Sequence, residues 1–349
     1  MRFIRLANHF GREFRHHIIP MDGVTAAFDH LNTDVDAQLV PLRIHRAGMV
    51  RNVHSFRHML KHIHPDLLVT SNWGTIEWAA ASFASGIPHL HMEDGFGSEE
   101  AGRQFRRRVW ARRILLRHVT TVLPSQTLFR IARDVWRLPQ QRIMYIPNGV
   151  DCDRFSAPPD IALLDRLGID TARPIIGTVA SLRREKKICR LIDAFAEIRS
   201  RRPAQLLIMG DGPERARLEH YAIERGVGSD VLFAGFCPAP EKLLRACTVF
   251  AVSSDTEQMP LSVLEAMAAG LPVAATDIGD IRYMLAPENA PFLVPREAVE
   301  LARAILRILA EPARATEIGK FNQCRARELF DERRMFDAYW KLFEQTHVA

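Results

Sequence analysis

Both halves of the chain alternate between short apolar segments and amphipathic stretches of helical length. The predicted strands are HHIIPMD, AQLVPL, DLLVTS, IPHLHM, VTTVLP and IMYIP in the first half, and PIIGTVAS, AQLLIMG, VLFAGF, TVFAVSS, PVAATD and APFLVP in the second. Alternation of strands and helices indicates parallel sheets covered by helices on both faces. The sequence therefore predicts an α/β protein of two doubly wound domains, with ligands bound at the carboxyl ends of the strands in a cleft between them.

The segment IPNGVDCDRFSAPPDIALL, rich in Pro, Asn and Asp, separates the two halves and is typical of a linker. We predict a first domain over residues 1–150, a hinge over 151–172 and a second domain over 173–325. Residues 326–349 are expected to form a C-terminal helix that packs back toward the first domain.

The beginning of the first domain departs from the usual pattern. A doubly wound domain normally opens with a strand and a Gly-rich turn, whereas Met1 here falls directly into a predicted helix, RFIRLANHFG. The first strand is therefore expected to be absent. Unpaired backbone groups buried in its place would each cost about 1–3 kcal/mol. One hypothesis is that the natural protein starts upstream of Met1, with roughly 15–30 more residues. The alternatives are that another segment fills the gap, or that the protein is impaired.

Composition narrows the class of protein. The chain is 47% hydrophobic and 25% charged, which is typical of a globular protein. No apolar run is long enough to predict a membrane-spanning helix, and the N-terminus lacks the apolar core of a signal peptide. The five cysteines lack CxxC spacing, which favours reduced thiols over a metal site or disulfides. We therefore expect a cytoplasmic protein.

Positive charge is concentrated in the first half. Residues 1–150 carry a net charge of +8, and the remainder carries −2. Much of the excess lies in GRQFRRRVWARRILLRH, residues 102–118, where apolar side chains interleave with arginines. Such a segment is either a solvated helix face or a surface for anionic lipid on the cytoplasmic face of the membrane. Nucleic acid is a weaker alternative, because no recognition motif accompanies the charge.

The stretch SSDTEQMPLSVLEAMAAGLPV places two acids around a predicted helix start. Glu257 follows a buried strand, and Glu265 lies about one turn inside a helix that starts near Pro260 or Leu261 and ends by Gly270. The free amides of such a start suit an anionic or hydroxyl-rich ligand. Carboxylates can hold the diols of sugars and riboses. The structural alternative is a helix-dipole partner at Glu257 and a solvated face at Glu265.

Two further segments lie at predicted strand ends. In VASLRREKKICRLIDAF, the cations Arg183, Arg184, Lys186 and Lys187 precede a helix, which suits a phosphate or diphosphate, although a solvated turn would look the same. In LLIMGDGPER, the residues Gly210 and Gly212 permit close backbone approach.

Together these segments resemble the retaining glycosyltransferases of family 4, which have the GT-B architecture. The match covers roughly residues 66–310. It rests on EQMPLSVLEAMAAGLPV, on the hinge IPNGVD, on the GDGPE turn and on FAGF, which ends at Phe236 in the position where the family holds the nucleotide base.

The resemblance implies a donor site for a nucleoside diphosphate sugar. Glu265 would hold the ribose hydroxyls, Glu257 the sugar hydroxyls near the reacting carbon, and Lys186 the departing diphosphate. The remaining implied donor contacts are Arg183, Gly210, Phe236, Gln258, Met259, Pro260 and Leu261. The arginine that the family places five residues before the lysine falls on Ser181, so Arg183 or Arg184 would have to reach the same anion.

On the acceptor side, many relatives carry a histidine in a Glu-His-Gly context. Here the stretch is HLHMEDGFG, so Asp94 takes that place and becomes the implied catalytic group. His89 and His91 precede it, and both are also explained as satisfied strand-end histidines.

Two DxD sequences, Asp34–Asp36 and Asp151–Asp153, resemble metal-binding motifs, but neither lies with the donor motif, which disfavours a metal role. The implied activity is retaining transfer of a hexosyl group from a nucleoside diphosphate sugar to a hydroxyl of a glycan or lipid-linked acceptor, as in polysaccharide biosynthesis. No cofactor, metal or nucleic acid is expected. The alternatives are a donor-binding but inactive GT-B protein and a nucleotide-sugar epimerase.

Overall fold

The protein was analysed as a computed structural model, which describes residues 2–26, 28–45, 48–83, 85–96, 100 and 104–347. The chain forms two compact units. The first comprises residues 1–124, 128–146 and 335–349, and the second comprises residues 125–127 and 147–334. Both are built from parallel strands and helices, so the α/β class predicted from the sequence is confirmed.

The described part of the first unit has six short strands in two hydrogen-bonded groups. β1 pairs with β2, and β3 to β6 form a parallel sheet in sequence order. The strands are β1 (Arg15–Ile18), β2 (Asp36–Leu39), β3 (Leu68–Ser71), β4 (His89–Met92), β5 (Thr120–Leu123) and β6 (Ile143–Tyr145). The helices that belong wholly or mostly to this unit are α1 (Arg2–Phe10), α2 (Met49–Ile63), α3 (Ile76–Ser82), α4 (Arg106–Leu115), α5 (Gln126–Asp134) and α15 (Glu332–His347).

Helices cover both faces of the four-stranded sheet. On one face, α1 and α15 bury Leu6 and Tyr339 against Leu90 and Val122. Arg2 Nη1 also donates a hydrogen bond to the Tyr339 hydroxyl at 3.0 Å. On the other face, Leu123 packs in a cluster with side chains from α3 and α5. Adjacent strand residues thus point to opposite faces, as in a doubly wound domain.

The four-stranded sheet ends at β3. Within the described residues, β1–β2 share no ladder with β3–β6. β3 is therefore an edge strand, and Val69 on it is 42% exposed, although strands of an all-parallel sheet are usually covered.

The second unit holds one six-stranded parallel sheet of order β12-β11-β10-β7-β8-β9. Its strands are β7 (Ile175–Val179), β8 (Gln205–Met209), β9 (Val231–Gly235), β10 (Val249–Val252), β11 (Val273–Thr276) and β12 (Leu293–Val294). Its helices are α6 (Cys152–Phe155), α7 (Ile161–Arg166), α8 (Ile188–Arg199), α9 (Arg215–Glu224), α10 (Glu241–Leu244), α11 (Leu261–Ala268), α12 (Ile281–Met284), α13 (Ala298–Ala310) and α14 (Pro312–Leu329).

Two apolar clusters cover this sheet. Ile175, Leu207 and Phe250 contribute to one cluster, and their neighbours Ile176 and Leu206 contribute to the other. Because each strand is buried on both faces, the sequence shows continuous apolar runs instead of alternation.

Several predicted strands are longer than the observed ones, and prolines account for two of these differences. HHIIPMD forms a strand only to Ile18, since Pro20 cannot donate a ladder hydrogen bond. APFLVP contributes only Leu293–Val294, because Pro287–Phe292 forms a 3₁₀ helix that includes Pro291.

Candidate active site

The strand order of the second unit contains one switch point, between β7 and β10. The chain adds β8 and β9 on one side of β7 and then returns to add β10 on its other side. The loops that follow β7 and β10, residues 180–187 and 253–260, leave the carboxyl edge of the sheet at this point. Open α/β sheets bind their ligands there.

A lysine and a glutamate from these two loops are in contact. Lys186 Nζ lies 2.6 Å from Glu257 Oε1, and the side chains are 22% and 10% exposed. Ser254 Oγ donates to the same carboxylate oxygen at 2.8 Å, and Ser253 Oγ donates to the Lys186 carbonyl at 2.9 Å. The structure therefore brings together two residues that the sequence placed 71 positions apart.

Residues from two other segments of the chain contact the turn that precedes α11 and fix its backbone. The Asp280 amide donates to the Gln258 carbonyl at 2.8 Å. A Cβ on Gly279, which has φ +54°, would lie 2.2 Å from the Glu257 carbonyl oxygen, so only glycine fits there. On the other side, Asn148 Nδ2 donates to the Met259 carbonyl at 3.3 Å.

The amide groups of this turn remain available. Among the described residues, the N–H groups of Gln258, Met259 and Leu261 donate no hydrogen bond. α11 begins at Leu261 directly after Pro260, as the sequence predicted. Free amides at a helix start, together with the helix dipole, are suited to an anion.

Glu265 lies one turn inside α11 and is partly exposed. Its carboxylate lies close enough to Arg154 and Cys237 to influence their pKa values. The hydrogen bond to Glu241 is the largest cause that raises the pKa of Arg154, and the Glu265 charge adds to it. Burial raises the pKa of the Cys237 thiol, and the same carboxylates contribute. Phe236 follows β9 next to Cys237 and is 77% exposed, which is unusual for a large aromatic side chain.

Arg183 and Arg184 are not placed beside Glu257. They line a separate hollow of about 310 Å³, together with Lys187 and Arg217. Arg184 is 90% exposed and lies 3.7 Å from Glu214. Lys186 is thus the cation of this loop that contacts Glu257.

Sequence reasoning missed Arg190 in the first turn of α8. Its Nη1 donates to the Ser253 carbonyl at 2.6 Å and its Nη2 to Asp255 at 2.7 Å. Arg190 therefore ties α8 to the loop that carries Glu257. The sequence feature that could have indicated Arg190 is its position three residues after Lys187, on the first turn of a helix that follows a cationic loop.

The position of Gly210 leaves no room for a side chain. A Cβ there would lie 1.8 Å from the Ala180 carbonyl oxygen, because the end of β8 meets the loop after β7. This confirms the close backbone approach predicted for the GDGPE turn.

The DxD sequences have local partners. Asp151 caps α6 by accepting from the Arg154 amide at 2.9 Å, and Asp153 pairs with Arg327 at 2.8 Å. Asp36 pairs with Arg15 at 3.0 Å.

Asp94 follows β4 in the first unit. Its carboxylate is ion-paired with Arg2, and its side chain is 44% exposed. Its amide donates to Asn72 Oδ1 at 2.8 Å. Asp94 therefore stands at the carboxyl edge of the first unit's sheet, where the sequence placed it.

His89 and His91 are buried structural residues. Thr70 Oγ1 lies 2.8 Å from His89 Nε2 and 2.9 Å from His91 Nδ1. Burial, followed by the neighbouring His91, lowers the pKa of His89 to about 3. His89 is therefore neutral at physiological pH, which supports the structural alternative.

The arginine-rich segment requires a correction, because Arg108 and Arg112 do not belong to an exposed surface. Arg112 is fully buried and pairs with Glu93 at 3.1 Å, and Arg108 pairs with buried Glu100 at 2.7 Å. The carboxylates that neutralise them follow β4, so sequence alone did not reveal the pairing. Gly102 and Arg103 lie outside the described residues.

Comparisons with known proteins identify the family. The model for Glycosyltransferase Family 4 matches residues 2–154, and the model for Glycosyl transferases group 1 matches residues 162–324. The chain belongs to glycosyltransferase family 4. Its two Rossmann-like units have the GT-B fold of that family.

Two curated relatives of this family 4 protein come from Streptomyces. The 2-deoxystreptamine glucosyltransferase of Streptomyces kanamyceticus is 34% identical over 200 residues, which cover 55% of this chain and 51% of the relative. The 2-deoxystreptamine N-acetyl-D-glucosaminyltransferase of Streptomyces fradiae is 31% identical over 269 residues, with 72% and 62% covered. The chain thus spans about half to three fifths of these relatives' lengths.

A solved structure matches over almost the whole family 4 chain. HepE from Anabaena, determined in complex with UDP and glucose, superposes with a TM-score of 0.82 at 21% identity. The match covers 98% of this chain and 95% of HepE, and it shows a shared fold. None of the helices in the described part of the chain is both long and apolar enough to cross a membrane.

Proposed function

We propose that this family 4 protein is a retaining glycosyltransferase that moves a hexosyl group from a nucleoside diphosphate sugar to a hydroxyl of a glycan or lipid-linked acceptor. The observation that carries the proposal is the contact between Lys186 and Glu257 at the switch point of the second unit, beside the free amides before α11. Both named relatives transfer hexose-type sugars by their titles, which supports the hexosyl class.

In this proposal, Lys186 and the start of α11 hold the diphosphate. Lys186 Nζ supplies a full positive charge, and the N–H groups of Gln258, Met259 and Leu261 add fixed partial charges. These groups stabilise the charge that develops on the departing diphosphate, which is usually the largest contribution in such reactions. The protein itself thus supplies positive charge at the leaving group, and we propose that transfer needs no metal.

Glu257 and Glu265 would bind different parts of the donor. Glu257, fixed by Lys186 and Ser254, would accept hydrogen bonds from the sugar hydroxyls. Glu265, one helical turn further on, would hold the ribose diol. Phe236, exposed at the end of β9, would stack on the base. Pro260 and Gly210 would shape the backbone around the donor, and Arg183 would contact it only after moving from its present hollow.

Asp94 is the proposed catalytic group on the acceptor side. Arg2 pairs with its carboxylate, the Asp94 amide donates to Asn72 Oδ1, and nearly half of the side chain is exposed. It can therefore accept a hydrogen bond from an incoming hydroxyl.

The test is an assay of the intact protein with a panel of UDP- and GDP-hexoses and with glycan and lipid-linked acceptors. The anomeric configuration of the product is determined by NMR. We expect a product that keeps the donor's configuration, and addition of a chelator should not reduce the rate. An inverted product would contradict the retaining assignment. Epimerised donor formed without acceptor would indicate an epimerase, and donor binding without turnover would indicate an inactive relative.

We also propose a peripheral position on the cytoplasmic face of the membrane. The outer side of α4 exposes Arg106 and Arg107 together with Trp110 and Ile114, which are 55% and 62% exposed, and Phe105 precedes them at 40%. Basic residues beside exposed aromatics favour anionic lipid, at about 1 kcal/mol for each charge.

Liposome flotation tests this surface. Arg106→Glu with Arg107→Glu should release the protein from anionic vesicles. The matched control is Arg201→Glu with Arg217→Glu, which changes the same charge at exposed positions of the second unit. Equal flotation with and without anionic lipid would contradict the proposal.

A further inference from the structure

The hollow of about 310 Å³ in the second unit lies between the loop after β7 and the first turns of α8 and α9. Its floor is apolar, because Ile188 and Leu218 are both buried there. Lys186, which contacts Glu257, is not among the residues that line it. We call it the cationic hollow after the charged residues of its lining, which are Arg183, Arg184, Lys187, Arg217 and Glu214.

Positive charge exceeds negative charge in this lining. Four cations face one acid, which leaves a net charge of +3. The acid, Glu214, is shared, because Arg217 Nη2 lies 2.7 Å and Arg184 Nε 3.7 Å from its carboxylate oxygens. Arg183 forms no ion pair with any residue that the structure describes. The cations therefore repel one another, and an anion among them would relieve that repulsion.

The backbone around the cationic hollow is fixed without a ligand. The Leu182 amide donates to the Asp211 carbonyl at 2.9 Å, and the Glu214 amide donates to the Leu182 carbonyl at 3.0 Å. A Cβ on Gly212 would lie 2.6 Å from the same Leu182 carbonyl oxygen, so glycine allows the loop after β7 to approach the start of α9. Because these segments are already ordered, little backbone entropy is lost when a ligand binds.

The chemistry of the lining favours a phosphate group. A guanidinium presents parallel N–H groups that match two phosphate oxygens, and an ammonium adds a point charge. A phosphate monoester or a pyrophosphate carries more than one negative charge near pH 7, which suits a lining of net charge +3 better than a single carboxylate does. The apolar floor leaves room for a small organic group attached to the phosphate.

We infer that the cationic hollow is a second anion site, separate from the proposed donor site, and that it binds a phosphate group, either free or carried by a small organic molecule. Arg184 and Arg217 bind the phosphate oxygens from opposite walls, and Lys187 and Arg183 supply further charge. The short 3₁₀ turn Arg184–Lys186 places Arg184 in the hollow and Lys186 against Glu257. The two anion sites thus lie on opposite ends of one turn.

Cys189, in the first turn of α8, provides a local reporter. It lines the cationic hollow and is partly exposed. A phosphate bound there shields the thiol and opposes its ionisation, so alkylation by iodoacetamide, a neutral reagent, should become slower. Peptide mass spectrometry measures alkylation of Cys189 separately from that of the other cysteines.

The rate of Cys189 alkylation is measured on the intact protein at physiological ionic strength, with increasing concentrations of pyrophosphate, inorganic phosphate, glycerol 3-phosphate or glycerol. We expect saturable protection by the phosphates and none by glycerol. Stronger protection by glycerol 3-phosphate would assign the site to an organic phosphate. Stronger protection by inorganic phosphate or pyrophosphate would assign it to a free one.

Two variants and a control locate the bound anion. Arg184→Gln with Arg217→Gln should raise the phosphate concentration needed for half-protection about tenfold, the scale for losing a charge-assisted hydrogen bond. The control is Arg201→Gln with Arg303→Gln, which removes two exposed arginines of the second unit that also pair with nearby glutamates, and it should match the wild type. Lys186→Gln, at the proposed donor site, should leave the protection in place.

The inference would be overturned if no phosphate protected Cys189, if glycerol protected it equally, or if the Arg184 and Arg217 variant were protected as well as the control. Loss of protection in Lys186→Gln would also overturn it, because the anion would then be bound at the proposed donor site.

Discussion

The second unit's Lys186–Glu257 pair and the first unit's Arg112–Glu93 pair have the same chemistry but different surroundings. Lys186 and Glu257 remain 22% and 10% exposed, on loops that leave the switch point. Arg112 and Glu93 are 1% and 0% exposed and lie beneath three aromatic rings. The first pair is partly exposed, so exchanging partners with a charged ligand should cost it less than it would cost the fully buried second pair.

This difference separates function from architecture. A cation and a carboxylate in contact do not by themselves mark a binding site. We propose a binding site at Lys186 and Glu257 because this pair is partly exposed on loops that leave the carboxyl ends of strands. Burial makes the Arg112–Glu93 pair a support that holds α4 against the loop after β4, and no described residue accepts a hydrogen bond from Arg112 Nη1.

The largest expected effect is on stability, from breaking the buried pair. Glu93→Gln leaves the Arg112 charge uncompensated, so the free energy of unfolding should fall by about 3–5 kcal/mol. Urea denaturation followed by circular dichroism measures it. Glu219→Gln, which removes an exposed carboxylate from a surface pair, is the control and should change stability by less than about 1 kcal/mol. Similar losses in the free energy of unfolding for both variants would contradict the proposed difference between buried and exposed pairs.

Loss of the Lys186 charge should act on turnover and leave stability nearly unchanged. Lys186→Gln removes a donor to the departing diphosphate, which costs about 100- to 1,000-fold in rate. The rate at saturating donor is compared with that of Lys187→Gln, the neighbouring cation, which pairs with Asp255 at 3.4 Å. If Lys187→Gln were the slower enzyme, the role of Lys186 would pass to Lys187.

Glu265→Gln should weaken donor binding more than it slows the saturated reaction. A charged hydrogen-bond partner on the ribose contributes roughly 1.5–3 kcal/mol, and the ribose lies away from the bond that breaks. Calorimetric titration of the donor gives the affinity. An unchanged affinity would remove Glu265 from the donor site.

The smallest effect is a pH dependence that the first unit's buried histidine imposes. The folded-state pKa of His89 is lowered from 6.5 to about 3, so between these values the unfolded chain binds more protons than the folded one. Stability should therefore fall as the pH is lowered below 6.5, by at most about 1.4 kcal/mol for each pH unit.

Unfolding is measured at pH 7.5 and at pH 5 for the wild type and for His89→Gln, with His220→Gln as the exposed control. The His89 variant should lose less stability between the two pH values than the wild type does. Equal losses in all three proteins would show that His89 does not titrate on unfolding.

The sequence predicted most of the second unit and only part of the first. The start of α11 was predictable because Pro260 is a local signal of a helix start. The donor-site roles of Glu257 and Lys186 stay predictions, which rest on the resemblance to the family. Whether an arginine of α4 is buried or exposed does not depend on its neighbours in the sequence. Arg107 and Arg112 look alike in sequence, and only the fold brings Glu93, 19 residues away, against Arg112.

Arg190 and the packing of Trp73 were missed for the same reason. The partners of Arg190 are Ser253 and Asp255, on a loop more than 60 residues later. Trp73 gains its setting from Arg108 and Arg112 on a distant helix. Such contacts depend on tertiary packing, which residue spacing does not encode.

A double-mutant cycle on donor binding tests most directly whether Lys186 and Glu257 form one donor site. The cognate donor is titrated by calorimetry into the wild type, Lys186→Gln, Glu257→Gln and the double variant. Residues in contact that share a ligand should be coupled, so the double variant should differ from the sum of the single variants by about 0.5–3 kcal/mol. Additive effects within error, or unchanged donor affinity in all three variants, would contradict the account.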